Sequence, residues 1–145
     1  MRYVIIGNGG AGVRAAQVLR ARDAEAHITM IDRETYPCYY RLRLPDYISG
    51  WKKRESVFLV DESFYADNRI EFRRGERVTG IDPRDRLVRL EGGGVLPYDR
   101  LLVAAGARPR ELGCPGGAMD GVVYLRTLDQ ADDIIRRGKE SRSAV

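Results

Sequence analysis

The chain has 145 residues, the length of one ordinary domain. Hydrophobic residues make up 43% and charged residues 32%, a balance that predicts a packed core and excludes a disordered chain. The longest apolar runs, such as 101–105, are much shorter than the roughly 20 residues of a membrane-spanning helix, and no signal-peptide pattern follows Met1.

Two cysteines, Cys38 and Cys114, lie far apart, which excludes a disulfide scaffold, a C-x-x-C motif and a cysteine-based zinc site. We expect a cytoplasmic protein without membrane association or a metal. The net charge of +4 comes from basic residues interleaved with acidic ones, and even the basic run 52–54 is followed at once by Glu55. Such scattered charge predicts a solvated surface and no nucleic-acid partner.

The N-terminal segment predicts a strand, a helix and a second strand. Residues 3–6 are continuously apolar, as is typical of a strand buried on both faces of a parallel sheet. A helix is predicted over 9–22, and a second strand over 28–31, closed by Asp32, completes a βαβ unit. The 3.6-residue spacing places four apolar residues on the buried face of the helix. They are Val13, Ala16, Val18 and Leu19.

The middle of the chain is more irregular. A helical turn or two is predicted over 44–49, and a short helix over 61–68 has Asp61 as its N-cap. A third strand over 70–72 precedes the segment 77–98, whose alternating apolar residues and turn signals predict an antiparallel meander of three strands. Three further elements complete the chain. They are a buried parallel strand over 101–103 ending at Gly106, a loop over 109–121 and a helix over 129–137.

Residues 7–12 read Gly-Asn-Gly-Gly-Ala-Gly, a G-x-G-x-x-G motif between the first strand and the first helix. In that setting Gly7 permits a tight turn, Gly9 lets a pyrophosphate approach the backbone, and Gly12 lets helix and strand pack closely. The helix N-terminus adds unpaired N–H groups and partial positive charge. Asp32, at the end of the second strand, can accept a hydrogen bond from a ribose 2′-hydroxyl and would repel a 2′-phosphate. The motif therefore predicts FAD or NAD rather than NADP.

Three segments, in this order, resemble the FAD-binding region of the pyridine nucleotide-disulfide oxidoreductase superfamily. They are the βαβ unit with its glycine loop, the meander followed by 98–109, and 124–131. Residues 98–109 are similar to the family's second FAD motif, although Ala105 stands where the family usually has Thr. The resemblance implies an α/β fold, an incomplete FAD/NAD(P)-binding fold: a Rossmann-like parallel sheet with flanking helices and a three-stranded antiparallel β-meander.

Family members continue into a second glycine-loop domain for NAD(P)H and then return to the FAD domain with a Gly-Asp motif. Neither segment is found in this sequence. We therefore interpret 1–145 as the N-terminal part of an FAD-binding domain, and 138–145 as the start of a linker or strand toward an absent NAD(P)H domain.

Cys38 lies in the loop where disulfide reductases of this family carry a redox cysteine. Aligned on 44–45, however, that position is Leu42, so we interpret Cys38 as a small buried side chain, with a redox thiol as the alternative. The loop resembles the branch of rubredoxin and ferredoxin reductases and NADH-dependent nitrite reductases. In that branch an arginine here neutralises the pyrophosphate or faces the isoalloxazine. Arg41 is the first candidate and Arg43 the second, and a solvated arginine is the alternative for each.

The resemblance implies a set of cofactor-binding residues and no firm catalytic residue. The set is Gly7, Gly9, Gly10, Ala11, Gly12, Asp32, Arg33, Arg41, Val78, Ala104, Ala105, Gly106 and Arg108. The single histidine, His27, is predicted to be a strand-end residue away from any carboxylate motif. Trp51 and Tyr36, Tyr39, Tyr40 and Tyr47 could line an adenine or flavin edge, although packing is the commoner use of such residues.

Two functions are compatible with these patterns. The first is the FAD-binding portion of an NAD(P)H-dependent flavoprotein oxidoreductase, with FAD as cofactor, NAD(P)H as co-substrate of the complete enzyme, and a redox protein or small molecule as acceptor. In this case the chain alone is inactive because nothing positions a nicotinamide, and its exposed apolar edge favours homo-oligomers. The second is a stand-alone ADP- or dinucleotide-binding module without turnover.

Overall fold

The computed structural model describes residues 1–143. It divides into two compact units. The first unit comprises Met1–Tyr39 and Leu59–Gly106, and the second comprises Tyr40–Phe58 and the described residues from Ala107 onward. The predicted α/β class is confirmed, with seven strands and four α-helices in the described residues.

A four-stranded parallel sheet forms the centre of the first unit. In chain order the seven strands are β1 (Arg2–Ile6), β2 (His27–Asp32), β3 (Ile70–Arg74), β4 (Val78–Asp82), β5 (Leu87–Leu90), β6 (Val95–Pro97) and β7 (Arg100–Val103). The parallel sheet has the order β3-β2-β1-β7. Tyr3 pairs with Ile28 on one side and with Arg100 on the other, and Ile28 pairs in turn with Ile70. The predicted parallel strands are therefore all present.

Helix α1 (Gly10–Arg22) connects β1 to β2 and packs on the sheet. Val13 and Ala16 are buried in the core with Ile5, Ile28 and other side chains of the sheet, as predicted. The prediction for Val18 is wrong, because 36% of its surface is exposed. Val18 lies beside β1 and β7 in an apolar cleft, so its helix face is only partly covered in the first unit.

Strand β7 differs from the prediction of a buried strand. Among the described residues it pairs with β1 alone, which makes it an edge of the sheet. Leu102 and Val103 are consequently exposed by 38% and 58%. A continuous apolar run signals a strand that can be buried on both faces, but it does not report whether neighbours cover it.

The predicted meander is confirmed. Strands β4, β5 and β6 form an antiparallel sheet in that order, with Val88 opposite both Ile81 and Leu96. Val88 and Leu90 are buried in a second core cluster together with Val4 and Ile31 of the parallel sheet. The meander therefore packs against β1 and β2 within the first unit.

Helix α3 (Ser63–Asp67) is shorter than the predicted 61–68. Asp61 still acts at its beginning, because the carboxylate accepts hydrogen bonds from the Phe64 N–H at 3.2 Å and from the Ser63 hydroxyl at 3.0 Å. Phe64 and Tyr65 are buried against the parallel sheet. This short helix thereby delivers a tyrosine hydroxyl to the interior of the first unit.

The second unit contains two 3₁₀ turns and two helices, α2 (Leu44–Ile48) and α4 (Leu128–Glu140). Asp132 of α4 accepts hydrogen bonds from the Tyr47 hydroxyl at 2.7 Å and from Arg54 at 3.2 Å. The hydrogen bond to Asp132 raises the pKa of Tyr47. Thr127 caps α4 through a reciprocal capping box with Gln130. Polar contacts of Asp132 therefore join α4 to Tyr47 of α2 and to Arg54 within the second unit.

The predicted linker from residue 138 is wrong at its start, because α4 continues to Glu140. The helix is capped at Ser141, whose backbone N–H donates to the Arg137 carbonyl, and does not end at the predicted Arg137. The last residues of the predicted linker, 144 and 145, lie outside the described part of the chain. Within residues 1–143, no helix is both long and apolar enough to cross a membrane, and no group of three or more His, Cys, Asp or Glu is arranged to hold a metal ion.

Candidate dinucleotide-binding site

The carboxyl ends of three adjacent strands meet at one edge of the parallel sheet. The Gly7 N–H, just after β1, donates to the Ile31 carbonyl of β2 at 2.8 Å. The Ala104 N–H, just after β7, donates to the Ile6 carbonyl of β1 at 2.7 Å. The glycine loop, the end of β2 and the segment after β7 are thereby brought together, at the edge where ligands bind in open parallel sheets.

Two glycines make the turn after β1 sterically feasible. Gly7 has a φ of +111°, and a Cβ there would lie 2.3 Å from the Ala104 carbonyl oxygen. A Cβ at Gly12 would lie 2.1 Å from the Gly7 carbonyl oxygen. Real Cβ atoms do not approach backbone oxygen so closely, so the predicted tight turn and close helix–strand packing are confirmed.

The outer side of the same turn is open. A Cβ on Gly9 or Gly10 would meet no atom within 4 Å. Gly9 is the N-cap of α1, and the first turn of α1 contains no acidic residue. The first N–H groups of a helix have no intrahelical acceptor, and the helix dipole makes this end partially positive. The loop therefore has the room, the donors and the charge that suit a pyrophosphate.

The Asp32 carboxylate is held by two backbone N–H groups. Its Oδ2 accepts from Asn8 at 2.6 Å and its Oδ1 accepts from Glu34 at 2.9 Å. Each carboxylate oxygen has a second lone pair, so the group can still accept from neighbouring hydroxyls. Asp32 thus links the glycine loop to the segment after β2, and its carboxylate is fixed before any ligand binds.

The segment before the meander lies alongside this carboxylate. The Glu76 N–H donates to the Asp32 carbonyl at 3.1 Å, and the Gly75 N–H donates to the Glu34 carbonyl at 3.3 Å. Val78, the half-buried first residue of β4, follows two residues after Glu76. Arg33 is exposed beside Asp32.

The second FAD motif follows β7. Ala104 is half-buried next to Gly7, whereas Ala105 and Gly106 are exposed. Gly106 has a φ of +70°, which ends the extended backbone of β7 in a turn that glycine adopts readily. Of the predicted set, the members from Gly7 to Arg33 and from Val78 to Gly106 therefore all belong to the first unit.

Arg41 and Arg108 belong to the second unit. Arg41 donates to the Arg126 carbonyl at 2.7 Å, a contact that joins the first 3₁₀ turn of the second unit to the segment before α4. Arg43 lies over the Tyr40 ring at 4.7 Å and donates to the Ser56 carbonyl at 2.9 Å. Arg108 is exposed. Both loop arginines thus have protein partners, and their role toward a cofactor stays a prediction.

Cys38 is a core residue of the first unit, 1% exposed. Its carbonyl accepts from the Leu59 N–H at 2.8 Å. This hydrogen bond joins the two parts of the first unit that flank the segment Tyr40–Phe58. This burial agrees with the interpretation of Cys38 as a structural side chain.

The aromatic residues of the loop have separate environments. The Tyr39 hydroxyl donates to Glu34 at 2.5 Å, whereas Trp51 is 77% exposed. His27 is the exposed first residue of β2, as expected for a strand-end residue, and its Nε2 lies 3.4 Å from the Glu71 Oε2. The parallel register of β2 and β3 brings the two side chains together, which sequence patterns alone do not reveal.

Sequence reasoning missed Asn8 and Tyr65. Asn8 lies inside the glycine motif at a position where any residue is allowed, yet it is only 7% exposed. Tyr65 belongs to a short helix that carries no motif, yet its hydroxyl donates to the Asn8 side-chain oxygen at 2.8 Å. Burial raises the pKa of Tyr65 above its usual value. The two adjacent aromatics Phe64 and Tyr65 predict burial, but not a hydroxyl contact 57 residues away.

The parallel sheet has a glycine turn after its first strand, an acidic residue at the end of its second strand and an antiparallel meander before its last strand. Together these features define a dinucleotide-binding flavoprotein fold. The family model of the pyridine nucleotide-disulphide oxidoreductases matches residues 1–145, and the chain belongs to that family.

Relatives and solved structures agree with this membership. The chain is 36% identical over 141 residues to the biphenyl dioxygenase system ferredoxin–NAD(+) reductase component of Paraburkholderia xenovorans, covering 97% of this chain and 35% of the relative. It is 34% identical over 146 residues to the rubredoxin-NAD(+) reductase of Pseudomonas putida, covering 100% of this chain and 38% of the relative. The crystal structure of NADH:rubredoxin oxidoreductase from Clostridium acetobutylicum superposes with a TM-score of 0.87 at 31% identity, over 96% of this chain and 36% of that one.

The predicted superfamily and fold are thereby confirmed. The chain spans about a third of the length of the curated relatives it matches. The family and the names of these relatives also support the predicted cofactor, FAD, and co-substrate, NAD(P)H.

Proposed function

We propose that the chain is the FAD-binding portion of an NAD(P)H-dependent flavoprotein oxidoreductase that passes electrons from NAD(P)H through FAD to an acceptor. The observation that carries the proposal is the meeting of the glycine loop, Asp32 and the Ala104 segment at one edge of the sheet. The similarity to ferredoxin and rubredoxin reductases supports a redox protein as the acceptor, with a small molecule as the alternative.

The glycine loop would bind the pyrophosphate. N–H groups at Gly10, Ala11 and Gly12 would donate to it, and Gly9 leaves room for its approach. Asp32 would accept hydrogen bonds from the adenosine ribose, because the Asn8 and Glu34 N–H groups hold its carboxylate in place. The negative charge of Asp32 would disfavour a 2′-phosphate, which agrees with FAD.

The remaining members of the set would contact the two ends of the cofactor. Arg33 and Val78 would lie toward the adenine, because the segment before β4 is hydrogen-bonded to the Asp32 loop. Ala104, Ala105 and Gly106 would lie along the flavin half, because they follow β7 beside the glycine loop.

Arg41 and Arg108 would supply positive charge for the cofactor. When bound, FAD supplies the chemistry of accepting a hydride and releasing electrons. The chain's own residues bind and orient it.

Binding of FAD and ADP by the purified 145-residue chain tests the proposal. We expect calorimetry to detect ADP binding and the chain to retain or take up FAD, with absorbance in the flavin bands. With excess FAD and NADH, we expect no acceptor reduction above that of free FAD, because hydride transfer needs a nicotinamide in near contact with the flavin. Absence of both ADP and FAD binding would refute the proposal.

A stand-alone ADP- or dinucleotide-binding module without turnover is the second candidate. It is favoured by the position of the glycine loop and Asp32 within the first unit. The DNA downstream of the codon for Val145 separates the two candidates. An in-frame second glycine-loop domain favours the oxidoreductase, and its absence favours the module.

The function of Cys38 tests the assignment to the branch without a redox cysteine. In the complete parent enzyme, Cys38→Ser should leave NADH-dependent reduction of an artificial acceptor nearly intact, because the buried thiol is part of the core. Loss of turnover, or loss of a thiolate–flavin charge-transfer band in the variant, would instead place this thiol at the flavin.

A further inference from the structure

We propose that Tyr65 is a positioning residue for the dinucleotide site, holding the glycine loop in its binding conformation through the side chain of Asn8. The proposal rests on the proposed function, since it assumes that the glycine loop binds a pyrophosphate. Tyr65 is far from the motif in sequence and would not itself touch the ligand.

The contact between Tyr65 and the loop is buried and specific. The Tyr65 hydroxyl donates to the Asn8 Oδ1 at 2.8 Å and accepts from the Cys38 N–H at 3.1 Å. Tyr65 is 4% exposed and Asn8 is 7% exposed. A buried hydroxyl with one donor bond and one acceptor bond to fixed partners has its orientation determined, because neither bond can be exchanged for water.

The rest of Asn8 reaches the remaining parts of the site. Its side-chain Nδ2 donates to the Tyr36 carbonyl at 3.1 Å, and its backbone N–H donates to the Asp32 Oδ2 at 2.6 Å. Asn8 therefore joins the loop after β2 to the turn after β1. A shift of its side chain would move the backbone between Gly7 and Gly9 and with it one of the two hydrogen bonds that orient Asp32.

The ring of Tyr65 is itself immobilised. It stacks on Phe72 with a centroid separation of 4.4 Å and an interplanar angle of 20°, and it meets Phe64 edge-on at 5.2 Å. Phe72 belongs to β3, two positions away from the Ile70 that pairs with β2. The sheet and α3 thus form a rigid support that delivers one hydroxyl to the glycine loop, the arrangement that a preorganised site requires.

Removal of the single hydroxyl tests the role. In the 145-residue chain, Tyr65→Phe should weaken ADP binding about tenfold, the scale expected when a buried acceptor loses its donor. The matched control is Ile70→Val, a core change in the same cluster that leaves every hydrogen bond of the network in place. It should lower the melting temperature without changing the ADP dissociation constant, measured well below both melting transitions.

A double-mutant cycle distinguishes positioning from general destabilisation. In the background of Asn8→Ala, the further change Tyr65→Phe should weaken ADP binding by less than about threefold, because the hydrogen bond between the two is already missing. In the ligand-free chain, Tyr65→Phe should also shift the NMR signals of the Asn8 and Gly9 amides, and Ile70→Val should not.

Two results would overturn the role of Tyr65: an unchanged ADP affinity in a folded Tyr65→Phe chain, or unchanged amide signals at Asn8 and Gly9. If the unsubstituted chain binds neither ADP nor FAD, the proposed function itself is refuted. The NMR measurement keeps the two failures distinguishable, because it reports the loop's dependence on Tyr65 without any ligand.

Discussion

The first and second units are stabilised by different kinds of contact. The first unit has two buried apolar clusters on the faces of its parallel sheet. In the second unit, only four described residues are buried apolar side chains. They are Leu44, Val57, Leu128 and Ala131. Hydrogen bonds and ion pairs of Asp132 and Arg137 add polar contacts among the segments of the second unit.

This difference bears on the predicted cofactor-binding residues. The glycine loop and Asp32 lie on the rigid sheet, whereas Arg41 and Arg108 lie on the unit with few buried apolar contacts. Regions with little apolar burial open at lower free energy than the core. We therefore expect the glycine loop and Asp32 to be more rigid in the ligand-free chain than the two arginines.

The largest effect is expected from Gly12→Ala in the first unit. The added Cβ would lie 2.1 Å from the Gly7 carbonyl oxygen, so β1 and α1 would have to separate. We expect the free energy of unfolding to fall by about 3 kcal/mol or more, at the upper end of overpacking costs. Chemical denaturation followed by circular dichroism measures it.

The control for this change is Gly10→Ala in the same helical turn. A Cβ on Gly10 meets no atom within 4 Å, and alanine has the better helix propensity. Its stability should equal or slightly exceed that of the unsubstituted chain. Equal stability of the two variants would show that the close packing of helix and strand is not what stabilises the first unit.

Asp32→Ala should have the next largest effect, on binding. Loss of the carboxylate removes the acceptor for the ribose, and we expect ADP binding to weaken by about 1.5–3 kcal/mol, the scale of a hydrogen bond to a charged group. Titration calorimetry provides the measurement. Glu34→Gln is the control, because it neutralises the neighbouring carboxylate and leaves Asp32 with its two N–H donors. A larger loss in Glu34→Gln would assign the ribose to Glu34.

Thr127→Ala should affect the second unit alone. The change removes the capping box of α4, which costs about 0.5–2 kcal/mol. We expect faster hydrogen exchange at the amides of α4 and unchanged exchange at those of β1 and β2. Ser141→Ala, at the other end of α4, is the control and should have a smaller effect. Equal acceleration in β1 would show that the two units unfold together.

The smallest expected effect is the pH dependence of the stability that Glu71 of the edge strand β3 contributes. The hydrogen bond from Arg73 is the main cause of the lowered pKa of Glu71, and the Thr29 hydroxyl adds to it. Because the folded pKa is depressed, this stabilisation is present above the ordinary pKa and is lost as the pH falls through the folded one. An ion pair this exposed contributes less than about 1 kcal/mol.

Glu71→Gln tests this contribution. The stability difference from the unsubstituted chain should be measurable at pH 7 and should vanish as the pH falls below about 4, the ordinary range of a glutamate. Glu91→Gln, whose carboxylate lies 3.8 Å from Arg77 on an exposed turn, is the control and should show little difference at either pH. A difference that grows as the pH falls would contradict the assigned sign.

The βαβ unit, the glycine loop and the meander could be predicted from the amino-acid sequence. These depend on local rules: a continuous apolar run, a 3.6-residue period, and glycines at the spacing that a strand–turn–helix requires. Asp32 could be identified for the same reason, because its distance from the motif is fixed by the lengths of one helix and one strand. The family could be recognised because its motifs combine these local signals in a fixed order.

Which surfaces are covered and which distant side chains meet could be seen only in the folded chain. Val18 and β7 have buried patterns but partly exposed positions, because burial depends on neighbours that a local pattern does not contain. His27 meets Glu71 through the register of two strands, and Tyr65 meets Asn8 across 57 residues. Such contacts arise from the packing of whole elements, so no spacing in the sequence encodes them.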